Sequence, residues 1–499
     1  MSYRSRPALA GLLAVAAGVA GAELVAAALG RPQAGTLVAV GAVLVDAAPT
    51  PVKEFAVATL GTADKPVLLS GIGLVLALLA VLLGVAAHRN RMTGFAGAAA
   101  LGIVGVAAAL TRPAAAPLDA LPSLVGALVV AATLLLLLSP VRARPLPTGG
   151  EGVGRRAFVV AAALVAAGVA AAGGGAAVLR RSLDTARTRA AVRLPPPAVA
   201  APPFPAVDPG FLTGNADFYR VDTALTVPQV DLESWRLTVG GMVDRPVELT
   251  FADVLARPLV ERVVTLTCVS NEVGGPYVGT ATWLGVPLIP LLREVGLRPG
   301  ADQLIARSVD GMTIGTPVAT LVDGREPLLC VGMNGEPLPT EHGFPLRMLT
   351  PGLYGYVGAC KWLTELELTT FDAVDAYWTE RGWSPNGPVK TASRIDRPAP
   401  FTRLGPGTVP VAGVAWAQGR GVSAVEVRVD DGPWQRAMLR PVPSVNTWVQ
   451  WRYDWAAIPG SHTLRVRATD GTGATQPEER TPPFPDGATG WHSVVVTIS

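Results

Sequence analysis

Thr265-Leu266-Thr267-Cys268-Val269-Ser270-Asn271 is the stretch from which the fold of this chain is best understood. It continues the run Arg262-Val263-Val264-Thr265-Leu266, whose apolar and β-branched residues are typical of a β-strand. Cys268 therefore lies where a predicted strand passes into a polar loop. A thiolate there would be a soft, anionic ligand that can hold a metal, but free cysteines are also often buried for structural reasons. The local residues leave both interpretations open.

The composition divides the chain into two parts. Hydrophobic residues make up 50% of the chain and charged residues only 16%, and the apolar excess lies in about the first 180 residues. The remainder has the composition of a globular protein and is long enough for two domains. A net charge of +3, without basic residues interleaved with aromatic ones, argues against nucleic-acid binding. Three cysteines without CxxC spacing and four scattered histidines argue against a disulfide framework and a zinc cluster.

Five apolar segments have about the length needed to cross a bilayer. A further stretch, Leu37–Leu60, contains prolines and charged residues and is predicted to be broken or re-entrant. Basic residues cluster before the first segment, after the second, and between the fourth and fifth, so they share one side if that stretch does not cross. The sequence thus predicts a multi-pass cell-membrane protein with an internal N-terminus and an external soluble part, although Arg180 and Arg181 would then be external. The five segments are Ala8–Leu29, Val67–Ala87, Phe95–Leu110, Leu118–Ser139 and Phe158–Leu179.

Two details of the membrane part allow a functional and a plain interpretation. Gly154-Arg155-Arg156-Ala157-Phe158 resembles the twin-arginine export signal, but a positively charged anchor on the internal side would have the same residues. Glu23, Asp46 and Glu54 lie in apolar segments, where ionisable groups suggest a proton or quinone site. We favour the alternative that these carboxylates satisfy polar groups within the helix bundle or lie near its surface.

The rest of the chain separates into three parts. Residues 181–209 are proline-rich and are predicted to form an extended, semi-rigid linker. Residues 210–398 combine strands such as Trp235–Val239 with helices such as Phe251–Leu255 and Leu288–Val295, which indicates a mixed α+β domain. Residues 399–499 alternate in the manner of short strands and predict an immunoglobulin-like β-sandwich. The predicted fold class is therefore multi-domain, with an α-helical membrane bundle over residues 1–180 ahead of these parts.

The motifs of the soluble part resemble, in the same order, those of the sulfite oxidase family of molybdopterin-dependent oxidoreductases. The Cys268 stretch is the first, and Glu341-His342-Gly343-Phe344-Pro345-Leu346-Arg347 is the second. Thr350-Pro351-Gly352 and Lys361-Trp362-Leu363 follow. The predicted sandwich is similar to the family's C-terminal dimerisation domain, which implies that the chain can form a homodimer. The resemblance covers about residues 205–499.

This resemblance implies one molybdenum, held by the two dithiolene sulfurs of a single molybdopterin, by oxo groups and by Cys268. Cys268 would be both metal ligand and catalytic residue, and the reaction would be a two-electron oxygen-atom transfer on a small substrate. In this resemblance His342 and Asp310 match pterin contacts, and Arg347 and Lys361 match phosphate contacts. The implied cofactor-binding residues are Tyr219, Arg220, Asp310, His342, Arg347, Ala359, Cys360 and Lys361.

Departures from the family pattern concern the substrate side. Typical sulfite oxidases have an arginine where this chain has Glu272, and no tyrosine of Tyr377–Pro385 aligns with their catalytic tyrosine. Sulfite is therefore in doubt, and reduction of an S- or N-oxide stays open beside oxidation of a small oxyanion. No heme motif is found, so a separate electron carrier or quinone is expected to exchange the electrons. A membrane receptor that has lost the cofactor is the alternative of another class, and the retained Cys268 and Arg347 argue against it.

Overall fold

The structure is a computed structural model that describes residues 5–49, 52, 55–56, 59–60, 63–139, 152–182, 185–202 and 210–499. The chain divides into two compact units. The first comprises Met1–Asp184 with Thr223–Gln229, and the second comprises Thr185–Asp222 with Val230–Ser499.

The first unit is helical. Five of its helices are long and apolar enough to cross a membrane, and they coincide with the five predicted segments. Helix α2 has only 12 residues, fewer than the roughly 20 that a crossing requires. Part of the remaining stretch to Leu60, including Glu54, lies outside the described residues. The helices are α1 (Ser5–Ala28), α2 (Thr36–Ala47), α3 (Asp64–Arg89), α4 (Arg91–Leu110), α5 (Leu121–Leu138) and α6 (Gly152–Ser182), with 3₁₀ turns at Pro32–Ala34 and Pro117–Ala120.

Small residues allow α1 to pack closely against its neighbours. A Cβ on Gly11 would collide with the main chain of Ala80 and Gly84 in α3, and one on Gly18 with Gly126 in α5. Such contacts bring helices together where lipid provides no hydrophobic driving force. The first unit also contains an ion pair that sequence reasoning missed, because Arg31 lies 2.7 Å from the buried Asp119 in the loop before α5.

The N-terminal part of the second unit contains two β-sheets. Sheet I has the order β3-β4-β7-β8, with β9 also paired to β7, and all its pairs are antiparallel. Sheet II has the order β2-β1-β10-β5-β6, in which only β1 and β10 run parallel. The strands are β1 (Arg236–Gly241), β2 (Val247–Thr250), β3 (Val260–Thr267), β4 (Val278–Pro287), β5 (Gln303–Ser308), β6 (Thr313–Pro317), β7 (Leu328–Met333), β8 (Glu336–Pro337), β9 (Arg347–Leu349) and β10 (Leu363–Thr369).

Short helices connect these strands, including the two that the sequence predicted. Thr250 caps Phe251–Leu255 in a capping box with Asp253, and the apolar face of Leu288–Val295 is buried. The helices are α7 (Thr185–Ala191), α8 (Phe251–Leu255), α9 (Leu288–Val295), α10 (Val318–Leu321) and α11 (Gly355–Gly358), with 3₁₀ turns at Thr340–His342 and Thr379–Arg381.

The C-terminal part forms two further sheets, with orders β11-β13-β17-β16 and β12-β19-β18-β14-β15. Val411 and Trp451 of the former share one buried core with Val425, Leu464 and Val496 of the latter. Alternate residues of each strand therefore face a common interior. The strands are β11 (Ala392–Arg397), β12 (Arg403–Leu404), β13 (Gly407–Trp416), β14 (Val422–Val429), β15 (Gln435–Arg436), β16 (Met438–Leu439), β17 (Val449–Ala457), β18 (Gly460–Asp470) and β19 (His492–Ile498).

The described part of the predicted linker is packed and is not a free tether. Arg189 in α7 donates to the carbonyls of Pro337 and Leu338. Val199 forms a parallel bridge with Val260 at the start of β3. Proline-rich sequence favours extended backbone, and here that backbone adds hydrogen bonds to a sheet edge. Residues 183–184 and 203–209 lie outside the described residues.

This packing predicts that the start point of a shortened chain decides its stability. A chain beginning at Thr185 keeps the bonds of Arg189 and Val199, whereas one beginning at Gly210 loses them. At about 1 kcal/mol for each lost hydrogen bond, we expect the shorter chain to unfold roughly 10 °C lower. Thermal unfolding of the two chains under one set of conditions measures this difference, and equal midpoints would contradict it.

Candidate functional site

Cys268 is the first residue after β3, and the loop that follows holds it. The Cys268 amide donates to the carbonyl of Tyr277 over 2.9 Å, and the Asn271 side chain accepts from the Tyr277 amide over 2.7 Å. Cys268 is only 8% exposed. Burial raises the pKa of its thiol, while hydrogen bonds to Ser270 and the charge of Lys361 oppose that rise. The site therefore offers a buried sulfur in a fixed place, next to a cation that favours its thiolate.

The C-terminal part of the same unit holds the strand that carries Cys268. Gln418 Nε2 donates to the Thr265 carbonyl over 3.1 Å and to the Thr267 hydroxyl over 3.0 Å. The Trp448 amide donates to the Thr265 hydroxyl over 2.7 Å. These groups are buried, where an unmade hydrogen bond costs about 1–3 kcal/mol. We call these contacts the Gln418–Trp448 clamp, and they restrict the end of β3.

Arg347 is a buried cation that has no counter-ion within the described part of the chain. It lies on β9 and is 6% exposed, and its guanidinium carbon lies 5.2 Å from the centroid of the Trp283 ring. One of its nitrogens, NH1, donates to the His342 carbonyl over 3.3 Å, but its Nε has no hydrogen-bond partner. Among the described residues no carboxylate pairs with it. Burial therefore lowers its pKa, and a charge in this position calls for an anion.

His342 ends the 3₁₀ turn Thr340–His342 and is 3% exposed. Its Nε2 lies 2.8 Å from the carbonyl oxygen of Asn215, and the edge of the Phe218 ring packs against it. Burial lowers the pKa of His342 to about 4, and the charges of Arg347 and Lys361 act in the same direction. His342 is therefore a neutral imidazole at neutral pH.

The low pKa of His342 makes the stability of the second unit depend on pH. Because the folded-state pKa lies below the ordinary 6.5, the stabilising contribution is complete above pH 6.5 and is lost as the pH falls towards 4. The difference corresponds to roughly 3 kcal/mol. We expect urea midpoints of the cofactor-free protein to fall between pH 7 and pH 4.5, and His342→Gln to remove part of that fall. Part of the fall should remain in His342→Gln, because His492, whose pKa is also about 4, is still present. If His342→Gln showed the same pH dependence as the wild type, the prediction would be contradicted.

The remaining predicted contacts surround these groups. Lys361 Nζ pairs with Asp222 over 2.7 Å, and both side chains are largely buried. Burial and the charge of Cys268 raise the pKa of Tyr219, while the charge of Arg347 lowers it. Arg220 is 41% exposed and lies 4.0 Å from Asp222.

Three further predicted residues lie on the loops beside Lys361. Asp310 accepts a hydrogen bond from the Met312 amide within its own turn. The Cys360 carbonyl accepts from the Met348 amide, and Ala359 donates to Gly355. Burial and the charge of Asp310 raise the pKa of Cys360, while Arg347 and Lys361 lower it. The structure thus brings Tyr219, Cys268, Asp310, His342, Arg347, Cys360 and Lys361 into one region, with Arg220 more exposed.

Sequence reasoning missed three polar residues of this region. Asp222 holds Lys361, and its position two residues after Arg220 was the available signal. The hydroxyls of Ser308 and Thr350 are buried and have no hydrogen-bond partner within the described residues. Thr350 belongs to a quoted motif, and Ser308 lies two residues before Asp310. A single serine or threonine, however, gives no sign in the sequence that its hydroxyl will be buried. Together with Arg347 Nε, these groups are unfilled polar positions that suit a polar ligand.

The loop that follows Cys268 carries the acidic residue Glu272. A cleft there is lined by Thr267, Asn271, Glu272, Tyr354 and Trp416, with residues of the C-terminal strands and loops. Among the described residues that line this cleft, Glu272 is the charged one, and Arg394, outside the lining, donates to the Gly275 carbonyl over 2.8 Å. Arg381, considered from the sequence as a positive group, pairs with Glu380 and lies over the Tyr377 ring.

Comparisons with known proteins bear on this geometry. The family model described as "Oxidoreductase molybdopterin binding domain" matches residues 224–378. The uncharacterized oxidoreductase YuiH of Bacillus subtilis is 30% identical over 203 residues, which cover 41% of this chain and 92% of that protein. The chain belongs to the sulfite oxidase family of molybdopterin-dependent oxidoreductases.

Other members of the sulfite oxidase family match the same part of the chain. The mitochondrial sulfite oxidase of Rattus norvegicus is 31% identical over 286 residues, covering 49% of this chain and 52% of that protein. The mitochondrial sulfite oxidase of Homo sapiens is 29% identical over 356 residues, which cover 61% of this chain and 65% of that protein. The match to the rat enzyme thus spans about half its length. Sulfane dehydrogenase SoxCD from Paracoccus pantotrophus has a similar fold, with a TM-score of 0.51 and 22% identity over 59% of this chain and 85% of that one.

Membership of the sulfite oxidase family implies a molybdenum–molybdopterin cofactor. The described residues fit such a group. A phosphate would provide the anion that the buried Arg347 lacks, and the polar edge of a pterin suits the unpaired hydroxyls of Ser308 and Thr350. The buried sulfur of Cys268 lies in the same region, where the charge of Lys361 acts on it. The sequence-based prediction of a molybdopterin-dependent oxidoreductase of the sulfite oxidase family is confirmed.

Proposed function

We propose that this chain is a membrane-anchored enzyme that transfers an oxygen atom, with two electrons, to or from a small substrate at a molybdenum ligated by Cys268. The observation that carries the proposal is Arg347, a buried guanidinium without a carboxylate partner among the described residues and with a free Nε. Proteins rarely keep an uncompensated buried charge. An anionic cofactor provides the compensation.

Each nearby residue then has a role in holding the cofactor. Arg347 and Lys361 bind the phosphate by charge-assisted hydrogen bonds, and the backbone of Ala359 and Cys360 closes the loop around it. His342, Asp310, Tyr219 and Arg220 would contact the pterin. When bound, the cofactor supplies the metal at which oxygen is exchanged with the substrate. Cys268, held by its loop and by the Gln418–Trp448 clamp, fixes the metal's position.

The membrane part supports an anchor. Five helices have the length and composition of membrane spans, and basic residues flank them in the pattern expected for an internal N-terminus. With this orientation the active part would lie on the extracytoplasmic side. A separate electron carrier or quinone would exchange electrons with the metal, and the two C-terminal sheets would form an immunoglobulin-like sandwich that can pair two chains.

The charge beside the Cys268 loop favours an uncharged substrate. Sulfite in this cleft would approach Glu272, and the lining residues that the structure describes include no arginine or lysine to offset that charge. An S- or N-oxide would not suffer this repulsion. Sulfite dehydrogenation remains the second candidate, because relatives at about 30% identity are sulfite oxidases. A receptor without cofactor would be expected to have replaced the buried Arg347.

Two measurements on the purified full chain test this function. Molybdenum analysis after expression in a cofactor-producing host should give close to one molybdenum per chain. A content below about 0.1 molybdenum per chain would refute the proposal that the chain is a molybdenum enzyme. A turnover screen with dye redox partners should then give higher kcat/KM for sulfoxides or N-oxides than for sulfite. Glu272→Gln is expected to reduce this preference, since removing one like charge at close range is worth about 1 kcal/mol or more. A strong preference for sulfite in both proteins would favour the second candidate.

A further inference from the structure

A network of hydrogen bonds fixes the main chain at Asn215, next to His342. The Asn215 side chain donates to Glu336 Oε1 over 2.5 Å and to the Met333 carbonyl over 3.4 Å. It also accepts from Asn334 Nδ2 over 2.8 Å. Both ends of this amide are therefore bound to the β7–β8 hairpin. The carbonyl oxygen of Asn215 is then held in place for His342.

The network continues to α7. Glu336 Oε2 pairs with Arg189 over 2.8 Å, and Arg189 donates to the Pro337 and Leu338 carbonyls as well. Glu336 thus uses one carboxylate oxygen for Asn215 and the other for Arg189. The pairing with Arg189 and the bond to Asn215 both lower the pKa of Glu336, which keeps it an acceptor at neutral pH. We call Arg189, Glu336, Asn334 and Asn215 the Asn215 network.

This arrangement determines which nitrogen of His342 carries the proton. A carbonyl oxygen can only accept a hydrogen bond, so Nε2 must donate to Asn215. A buried, neutral imidazole has a single N–H. Nδ1 is therefore left with a lone pair, and within the described residues it makes no hydrogen bond.

We propose that the Asn215 network fixes His342 as the Nε2–H tautomer, so that Nδ1 accepts a hydrogen bond from an N–H group of the pterin. The proposal rests on the function proposed above and assigns different partners within the site. Arg347 and Lys361 hold the negative phosphate, whereas a lone pair at Nδ1 would repel its oxygens. His342 therefore selects a donor on the ring system. Arg189, Glu336 and Asn215 are positioning residues that act through it.

The tautomer can be read directly by nitrogen NMR of the full chain in lipid, labelled with ¹⁵N-histidine. The chain has only four histidines, and His342→Gln identifies the signal of interest. At pH 7.5 we expect a protonated Nε2 and an unprotonated Nδ1 in the protein prepared without cofactor. In the cofactor-loaded protein, the Nδ1 signal should shift upfield as it accepts a hydrogen bond. A protonated Nδ1, or an Nδ1 signal that is identical in the two preparations, would overturn the proposal.

Variants of Glu336 test the positioning role against a purely structural one. Glu336→Ala removes both of its bonds and should convert the His342 signal to a mixture of tautomers and release the pterin about tenfold faster, the effect expected for one lost buried hydrogen bond. Glu336→Gln keeps an acceptor for Asn215 and should restore the single tautomer. The matched control is Glu294→Ala, which removes the Arg257–Glu294 ion pair. That pair is 2.7 Å long and is about as exposed as the Arg189–Glu336 pair. This variant should change neither the tautomer of His342 nor the rate of pterin release.

These outcomes separate the inference from the proposed function. A chain that contains no molybdenum in the cofactor-producing host refutes the function, while the tautomer of the cofactor-free protein is still measured. A loaded, active chain in which Glu336→Ala leaves tautomer and pterin release unchanged refutes only the network's role. If Glu336→Ala does not fold, the wild-type spectra still decide the tautomer and the contact to the pterin.

Discussion

Replacing Cys268 with serine should reduce oxygen-atom transfer at least about a thousandfold, which corresponds to about 4 kcal/mol of activation free energy. A serine hydroxyl is harder than a thiolate and stays protonated in buried surroundings, so it cannot replace a soft anionic ligand. Arg347, Lys361 and His342 are untouched by the change. The pterin should therefore remain bound.

The other two cysteines provide matched controls for this experiment. Cys330 and Cys360 are buried like Cys268, but Cys330 lies within β7 and Cys360 makes only weak contacts through its sulfur to main-chain carbonyls. Cys330→Ser and Cys360→Ser should keep most of the turnover and the thiolate-to-metal absorption that Cys268→Ser loses. The assays are pterin and molybdenum per chain, the absorption spectrum and turnover. Wild-type turnover in Cys268→Ser would exclude its role as ligand.

Arg347→Met should separate cofactor binding from stability, with opposite effects on the two. In the cofactor-free protein the guanidinium is buried and no described carboxylate pairs with it, so replacing it by an apolar side chain of similar length should raise the unfolding midpoint. In the loaded protein the same change removes the partner of a buried anion, which costs about 3–5 kcal/mol. Cofactor retention should therefore fall more than a hundredfold.

The measurements are the thermal midpoint of the cofactor-free chain and the pterin content after gel filtration. Arg347→Lys is the control, because it keeps the charge but not the planar pair of donors, and it should retain an intermediate amount of pterin. A purely structural arginine would show the reverse pattern. In that case Arg347→Met would lower the midpoint and leave pterin retention unchanged.

Local sequence patterns were sufficient for much of this architecture. The five apolar segments, the helices at 251–255 and 288–295, and the strand before Cys268 depend on nearby residues, so their patterns are visible in the chain itself. The resemblance of the motif around Arg347 to the family pattern implied a phosphate contact, which stays a prediction. The sequence could not indicate that no described carboxylate pairs with Arg347, because such pairing is decided by residues that are distant in the chain.

The linker and the His342 environment show two other limits. The proline-rich residues 181–209 predicted an extended backbone, but whether its described part meets a sheet edge depends on the strand that begins at Val260. His342 could be selected from its motif, whereas its partner is a main-chain carbonyl. Every residue has such a carbonyl, so the identity of Asn215 gives no warning of this contact. The amide side chain of Asn215 affects the position of this carbonyl because it is hydrogen-bonded to the β7–β8 hairpin.

The Gln418–Trp448 clamp limits how freely the C-terminal part can be exchanged in evolution or in engineering. Along the sequence, residues 399–499 look like a separable module. In the folded protein, Gln418 and Trp448 supply donors to Thr265 and Thr267, within three residues of Cys268. A chimera with another β-sandwich at this position would need to reproduce those donors, or the strand before Cys268 would keep unpaired buried acceptors. The boundary at residue 399 therefore separates two parts of the sequence, but residues on both sides of it stabilise the strand end next to Cys268.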